Sequence, residues 1–419
     1  MSSTPDAPRR SAIKQLAKQV APYLPAGVRE LAVPKQWSYS AKEQAQVARP
    51  EKNNYNGALS PSVFVGMQNP CAQSYLYARA IEDTSEARGK GKTEAVSLQM
   101  QAEGARHWPS DVTVPDRVLL YSDKWGQKQK EALTRQFTHV IVESGKPLMG
   151  RAHDHDVYRD VDSMLEAGRK VALLSYGSEI RTPSIHREVE PYSPFQYDLD
   201  GLTERLVKTT DFVHKFLDHY GELVEFVDTP DLLVYRPNAV WVPTLINEAV
   251  WLTGENLALA NRSSHDKLAV LHTPTNPHLK GSQYILEPMR KLAGDGLIDF
   301  REPTMMEPVD VPKHVAEADV VIDQVAMGLY GIASMEAMAL GKLVIAQVWD
   351  RNRKIIKEQT GCDLPIIQAT PDTIGDVVQD IARNPEKYEH LKQAGRDFVT
   401  EVHSKERVAS IFHEHFIGV

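Results

Sequence analysis

The stretch ADVVIDQVAMGLYGIASMEAMALGKLVIAQV, residues 318–348, limits the fold more than any other part of the chain. It reads as an apolar strand, a loop holding Gly328 and Gly331, a helix of small residues and a second apolar strand. Both strands are near-continuous apolar runs, the pattern of parallel strands covered on both faces. A single acid, Glu336, stands in the otherwise apolar helix.

The same alternation runs along the chain from Pro61. SVFVGM (62–67), AVSLQM (95–100), DRVLLYS (116–122), FTHVIVES (137–144) and KVALLS (170–175) read as strands, with helical patterns over 71–87 and 160–168. A strand–helix–strand set follows over 223–246. The pattern restarts at DKLAVLHTP (266–274), continues through a helix over 281–296 and strands over 297–304 and 319–325, and ends in a helical pattern over 370–404. Strands alternating with helices predict an α/β protein with parallel sheets. Two successive series, split near 247–265, predict two α/β domains. Ligands of such sheets sit beyond the carboxyl ends of the strands, so the site is expected in the cleft between the domains.

The length of 419 residues agrees with two domains. A net charge of −8 argues against a general nucleic-acid binder. Two cysteines, Cys71 and Cys362, fit a reducing compartment rather than a disulfide framework. No apolar run reaches the roughly 18 residues of a membrane span, and no signal peptide is read at the start. The expectation is a cytoplasmic protein. Residues 1–52 nevertheless hold nine Lys and Arg against four acids. Within them residues 9–24 place Ile13, Leu16, Val20 and Leu24 near helical spacing. That segment reads either as a peripheral contact with an anionic membrane face or as a helix packed on the protein's own body.

Five polar groups lie where strands end. The loop with Gly328 and Gly331 leads to a helix start near Ala333, and exposed N–H groups there form an anion site. Glu336 is either an acceptor for vicinal hydroxyls such as those of a ribose or an acid compensating the helix dipole. HTPTNPHLKG (272–281) brings Lys280 beside Gly281, as a phosphate-neutralising charge or as a solvated loop lysine. SYGSEIRTPSIH (175–186) and GMQNPCAQ (66–73) supply Glu179, Arg181, Asn69 and Gln73. GRAHDHD (150–156) reads as a flexible loop. It has no structural-zinc spacing, so no metal is expected, although His153 remains a candidate general base.

The stretch 318–345 resembles the donor-binding signature of GT-B glycosyltransferases of the family 4-like group. HTPTNPHLKGS resembles the strand–loop–helix of the same C-terminal domain, and the segments over 137–150, 170–181 and 226–246 resemble its acceptor domain. The resemblance implies an acceptor domain (58–247), a donor domain (248–400) and a C-terminal helix (401–419) packing back on the acceptor domain, and the basic N-terminal segment (1–57) lies outside it. It implies sugar transfer from a UDP- or GDP-linked donor, with retention and without a metal ion or other cofactor. Lys280 would meet the donor diphosphate with His272, Asn276, Gly281 and the helix start Gly331, Ile332, Ala333 and Ser334. Glu336 would hold the ribose, and Gly328 and Tyr330 would line the sugar. Tyr176, Gly177, Ser178, Arg181, Asn69 and Gln73 would face a glycan, lipid-linked or small-molecule acceptor. Gly328 stands where the family commonly carries an acid, eight positions before Glu336. Tyr176 stands where the family often has histidine. A non-catalytic nucleotide- or glycan-binding subunit and a nucleotide-sugar epimerase are the alternatives on the same fold.

Overall fold

Apolar runs too short to be helices and bounded by glycine, proline or polar residues become the strands of two parallel sheets in the computed structural model, which describes residues 39–50, 61–87, 93–197, 201–261, 266–302 and 309–418. The basic segment 9–24 lies outside the described residues. The first sheet contains Ser62–Met67 (β1), Glu94–Gln101 (β2), Val112–Pro115 (β3), His139–Glu143 (β4), Lys170–Ser175 (β5), Val224–Val227 (β6) and Val240–Trp241 (β7), in the order β3-β2-β1-β4-β5-β6-β7. The second contains Leu268–Leu271 (β8), Ile298–Arg301 (β9), Val320–Gln324 (β10), Leu343–Ala346 (β11) and Ile367–Gln368 (β12), in the order β12-β11-β10-β8-β9. The strand order reverses between β1 and β4 in one sheet and between β8 and β10 in the other. Such switch points open a crevice beyond the carboxyl ends of the two strands.

The helices that matter below are Gln73–Ala87 (α1), Asp116–Tyr121 (α2), Asp123–Arg135 (α3), Val157–Glu166 (α4), Pro183–Val189 (α5), Leu202–His219 (α6), Pro277–Lys280 (α7), Ser282–Gly294 (α8), Ile332–Ala339 (α9), Asp350–Thr360 (α10), Ile374–Arg383 (α11), Glu389–Val402 (α12) and Lys405–Phe412 (α13). On α8, Ile285, Met289 and Leu292 recur at helical spacing, and on α11, Ile374, Val378 and Ile381 do so. These stripes form one core with Val270, Val320, Ile322, Leu343 and Ile345 of the second sheet. Every residue of β10 is buried, including Asp323 and Gln324.

The chain divides into two compact units, Met1–Leu174 with Glu222–Val224 and His413–Val419, and Ser175–Gly221 with Glu225–Phe412. In the first, the Phe416 ring stands edge-on to His139, 5.0 Å between centroids, and Lys170 Nζ donates to the Ile417 carbonyl at 3.4 Å. In the second, Phe412 of α13 packs on Phe226.

Two sequence expectations need correction. DRVLLYS is helix α2 rather than a strand. The strand is the preceding Val112–Pro115, and Asp116 opens the helix directly after Pro115, where an acid suits the first turn. Buried Val118, Leu119 and Tyr121 satisfy either period over so short a run. GRAHDHD is an ordered turn, 3₁₀-helical over Gly150–His153, with Gly150, Arg151 and His153 buried.

Candidate functional site

The site is built where the second sheet reverses its strand order, beyond the ends of β8 and β10. β8 runs out at Leu271, and His272 follows, fully buried. Its Nδ1–H donates to the Ile322 carbonyl at 2.8 Å, and its Nε2 accepts from Ser282 Oγ at 2.8 Å. Burial pushes the imidazole down to about 4, so the ring is neutral at pH 7. It ties β8, β10 and the start of α8 together, with both nitrogens engaged. Asn276 caps α7 by accepting from the Leu279 N–H at 3.2 Å. Lys280 is the last residue of α7, and Gly281 turns the chain with φ +75°. A Cβ at Gly281 would lie 2.9 Å from Val325, so this turn needs glycine.

Lys280 meets Asp323. Its Nζ lies 2.5 Å from Asp323 Oδ1. The other carboxylate oxygen accepts from the Gly331 N–H at 2.9 Å and from Ser334 Oγ at 2.7 Å. Burial pushes the Asp323 carboxyl up, yet the Lys280 charge and the bonds from Lys280, Ser334 and Gly331 outweigh it and hold the group below the usual carboxylate range. A Cβ at Gly331 would sit 3.3 Å from the Lys280 ammonium and 3.4 Å from Asp323, so the glycine leaves room for the pair. The ammonium is part-exposed, and Asp323 uses one of its three donors. Beside it, the half-buried Ile332 and Ala333 open α9, where backbone N–H groups have no intrahelical acceptor. Glu336 is the fifth residue of α9, half-buried and beyond the first turn, which contains no acid.

The loop before α9 is pinned from below by Gln324. Its Oε1 accepts from the N–H groups of Ala326 (2.9 Å) and Met327 (2.7 Å), and its Nε2 donates to the carbonyls of Leu329 and Gln347. Gln347 Oε1 accepts from the Gly328 N–H at 2.9 Å. Gly328, at φ +72°, lies against the indole of Trp349, where an added Cβ would come within 2.0 Å of the ring. An acid cannot stand at 328 beside this tryptophan. The Arg351 guanidinium covers Trp349, 4.3 Å from the ring centroid. Tyr330 points away from the loop: its buried hydroxyl donates to His403 Nε2 at 3.2 Å, and His403 Nδ1–H donates to the Thr244 carbonyl at 2.7 Å.

In the same unit, Tyr176 donates its N–H to Glu179 Oε1 at 2.6 Å, and Ser178 is exposed. Arg181 sits against Gly177 and donates to Asp231 Oδ2 from Nε (3.1 Å) and Nη2 (2.7 Å). Burial, with Glu179 and Asp231 beside it, pushes the Asp228 carboxyl well up. Buried Ser175 Oγ, Asp228 Oδ1, Thr229 Oγ1, Asp231 Oδ1 and Tyr235 Oη have no hydrogen-bond partner among the described residues.

Asn69, Gln73 and His153 belong to the first unit. Asn69 Nδ2 donates to Gln99 Oε1 (3.0 Å) and the Pro109 carbonyl (2.7 Å), and Gln73 is buried. Glu143, at the end of β4, accepts from the Gln68 N–H at 2.6 Å and from Ser74 Oγ at 2.5 Å, which fixes the loop between β1 and α1. His153 Nδ1 pairs with Asp160 Oδ1 at 2.9 Å, while Asp160 Oδ2 accepts from the N–H groups of Leu148 and Met149. Among the described residues no group of three or more His, Cys, Asp or Glu converges to hold a metal ion.

Sequence reading missed Asp323, Gln324, Glu190, Gln347 and Trp349. The first two had a signal, since an Asp-Gln pair closing an otherwise apolar strand is costly unless it is bonded. Nothing in the spacing marked the other three.

No family model matches the sequence, and no curated protein matches it. Among solved structures the chain is similar to sucrose-phosphate synthase from Thermosynechococcus elongatus, at 12% identity over 85% of this chain and 98% of that one, with a TM-score of 0.54. It is also similar to WaaG, a glycosyltransferase involved in lipopolysaccharide biosynthesis, at 13% identity over 84% and 99% of the two chains, with a TM-score of 0.48. A third is HepE from Anabaena in complex with UDP and glucose, at 10% identity over 85% and 99%, with a TM-score of 0.47. The likeness to the synthase fixes the fold as GT-B, with two Rossmann-like α/β parts.

Two measurements check this geometry. Gly328→Ala should cost about 2–4 kcal/mol in unfolding free energy, from overpacking against Trp349 plus the positive φ. The same change in a Trp349→Ala background should cost far less. Equal costs would mean that the indole does not lie on Gly328. Denaturation against pH checks the buried imidazoles. Burial holds His139, His186, His272 and His403 down to about 4 when folded, against 6.5 unfolded. Below pH 6.5 the unfolded chain takes up protons that the native rings refuse, so stability is full above about 6.5 and falls progressively towards pH 4. Stability that stayed flat over this window would contradict neutral, buried rings.

Proposed function

We propose that the protein is a glycosyltransferase that moves a sugar, most simply a hexosyl group, from a UDP- or GDP-linked donor to a glycan, lipid-linked or small-molecule acceptor. The observation that carries the reading is the part-exposed Lys280 ammonium, held by buried Asp323 against the start of α9 at the switch point of the second sheet. A fixed cation beside a helix start is the arrangement that a diphosphate seeks. The GT-B fold, shared with a sucrose-phosphate synthase, agrees with it. The family 4-like resemblance of residues 318–345 is the further support for retention and for independence from metal.

In this reading the bond between the sugar C1 and the diphosphate oxygen breaks with its electron pair leaving on the diphosphate. Lys280 and the N–H groups opening α9 neutralise the charge that develops there. The acceptor hydroxyl forms the new bond at C1, and its proton passes to the departing diphosphate oxygen. Glu336 accepts from the ribose hydroxyls. The polar loop at Tyr176–Arg181 faces the acceptor.

One observation favours a second reading. Trp349 fills the space at Gly328 where a sugar-contacting acid would stand, as suits a subunit that binds nucleotide and transfers nothing. A thermal-shift panel of nucleoside diphosphates and nucleotide sugars tests both. Binding stabilises by about 2.7 kcal/mol at 100-fold excess over Kd, and Lys280→Ala should remove most of the gain. A panel with no shift rejects nucleotide binding altogether. A shift without donor hydrolysis or transfer favours the subunit.

A further inference from the structure

Residues 183–196 leave the first sheet after β5 and lie against both halves of the Lys280 site. α5 presents His186, fully buried, whose ring lies 5.4 Å from the Trp349 ring and 5.1 Å from the Phe195 ring, centroid to centroid. Its Nδ1 accepts from Ser193 Oγ at 2.8 Å, and its Nε2–H points to the Met327 carbonyl at 3.4 Å. Glu190 follows, also fully buried. Its Oε1 accepts from the Tyr192 N–H at 2.9 Å, and its Oε2 accepts from Trp349 Nε1 at 2.8 Å and from Gln347 Nε2. Two residues beyond Tyr192, the Pro194 carbonyl accepts from His278 Nε2–H at 2.6 Å. His278 lies in α7, two positions before Lys280.

One short segment therefore bonds the glycine loop on one side and the Lys280 helix on the other. The Glu190 carboxylate also decides which way the Gln347 amide points. With Nε2 turned to an acceptor-only carboxylate, Oε1 must face the other way, towards the Gly328 N–H. Without that carboxylate the amide loses its preference, Gly328 loses a guaranteed acceptor and Trp349 loses the partner of its indole N–H. Each would leave a buried donor unpaired, so the loop would rearrange to satisfy them.

We infer that residues 183–196 preorganise the diphosphate site, with Glu190 as the positioning residue for the loop 325–331 and the Pro194–His278 bond as the second tether. This rests on the nucleotide-sugar reading. The segment acts by holding the loop and α7 in their binding arrangement beforehand, so the nucleotide need not order them. Linkage makes the effect reciprocal: nucleotide binding holds the segment down.

The test is titration calorimetry with UDP, with GDP as second probe, on the full chain and on Glu190→Gln, Glu190→Ala and His278→Ala, together with hydrogen exchange of unliganded protein. Glu190→Ala should raise the Kd at least about fivefold and expose the amides of residues 326–331, while β8 and β10 stay protected. Glu190→Gln retains an oxygen for Trp349 and should recover part of the affinity. His278→Ala cuts the other tether and should weaken binding in the same direction, and it carries the test if Glu190→Ala does not fold. Variants that lose melting temperature but bind UDP with the parent's Kd would show a purely structural role and overturn the inference alone. A parent chain that binds neither nucleotide sinks the proposed function, and the inference with it.

Discussion

A single buried carboxylate sets the geometry at the carboxyl edge of the second sheet. Asp323 stands next to last in the fully buried strand β10, and a charge there is tolerable only if it is matched. Lys280 supplies the opposite charge from the end of α7, while Gly331 and Ser334 supply donors from the start of α9. The carboxylate thus joins its own strand to two other pieces of chain, the end of α7 and the start of α9. Removing one partner of a fully buried pair costs about 3–5 kcal/mol, and less here, because Lys280 is part-exposed. That exposure lets the same ammonium serve a ligand.

Around this point the rest is support. His272 braces β8, β10 and α8 with both nitrogens. Gln324 takes two loop amides and returns two donors, so the glycine loop is rigid rather than slack. Gly328 is kept side-chain-free by Trp349 lying on it, and Trp349 is held by Glu190. A side chain at 328 is thereby excluded by packing, since the indole takes the space that it would need.

How much of this was legible in the sequence depends on the range of the interaction. The parallel α/β pattern, the helix after the glycine loop and the position of Lys280 beside Gly281 were readable, because each is fixed by residues close in sequence. The pairing of Lys280 with Asp323 joins residues 43 apart and left only an indirect trace, two polar residues closing an apolar strand. Glu190 meets Gln347 and Trp349 across more than 150 positions, and no local pattern records such a meeting. The stretch 116–122 was misread because a run of only four apolar residues, Val118–Tyr121, fits both periods. GRAHDHD was misread because its polarity suggests solvent, whereas Asp160 buries His153 by pairing with it.

The central claim is that the Lys280–Asp323 centre receives a diphosphate. A crystal structure with UDP tests it most directly. The account predicts phosphate oxygens within hydrogen-bond distance of Lys280 Nζ and of the Ile332 and Ala333 N–H groups, with Asp323 still bonded to Gly331 and Ser334. UDP bound elsewhere, or bound with Lys280 still turned wholly to Asp323 and no phosphate near α9, would contradict it.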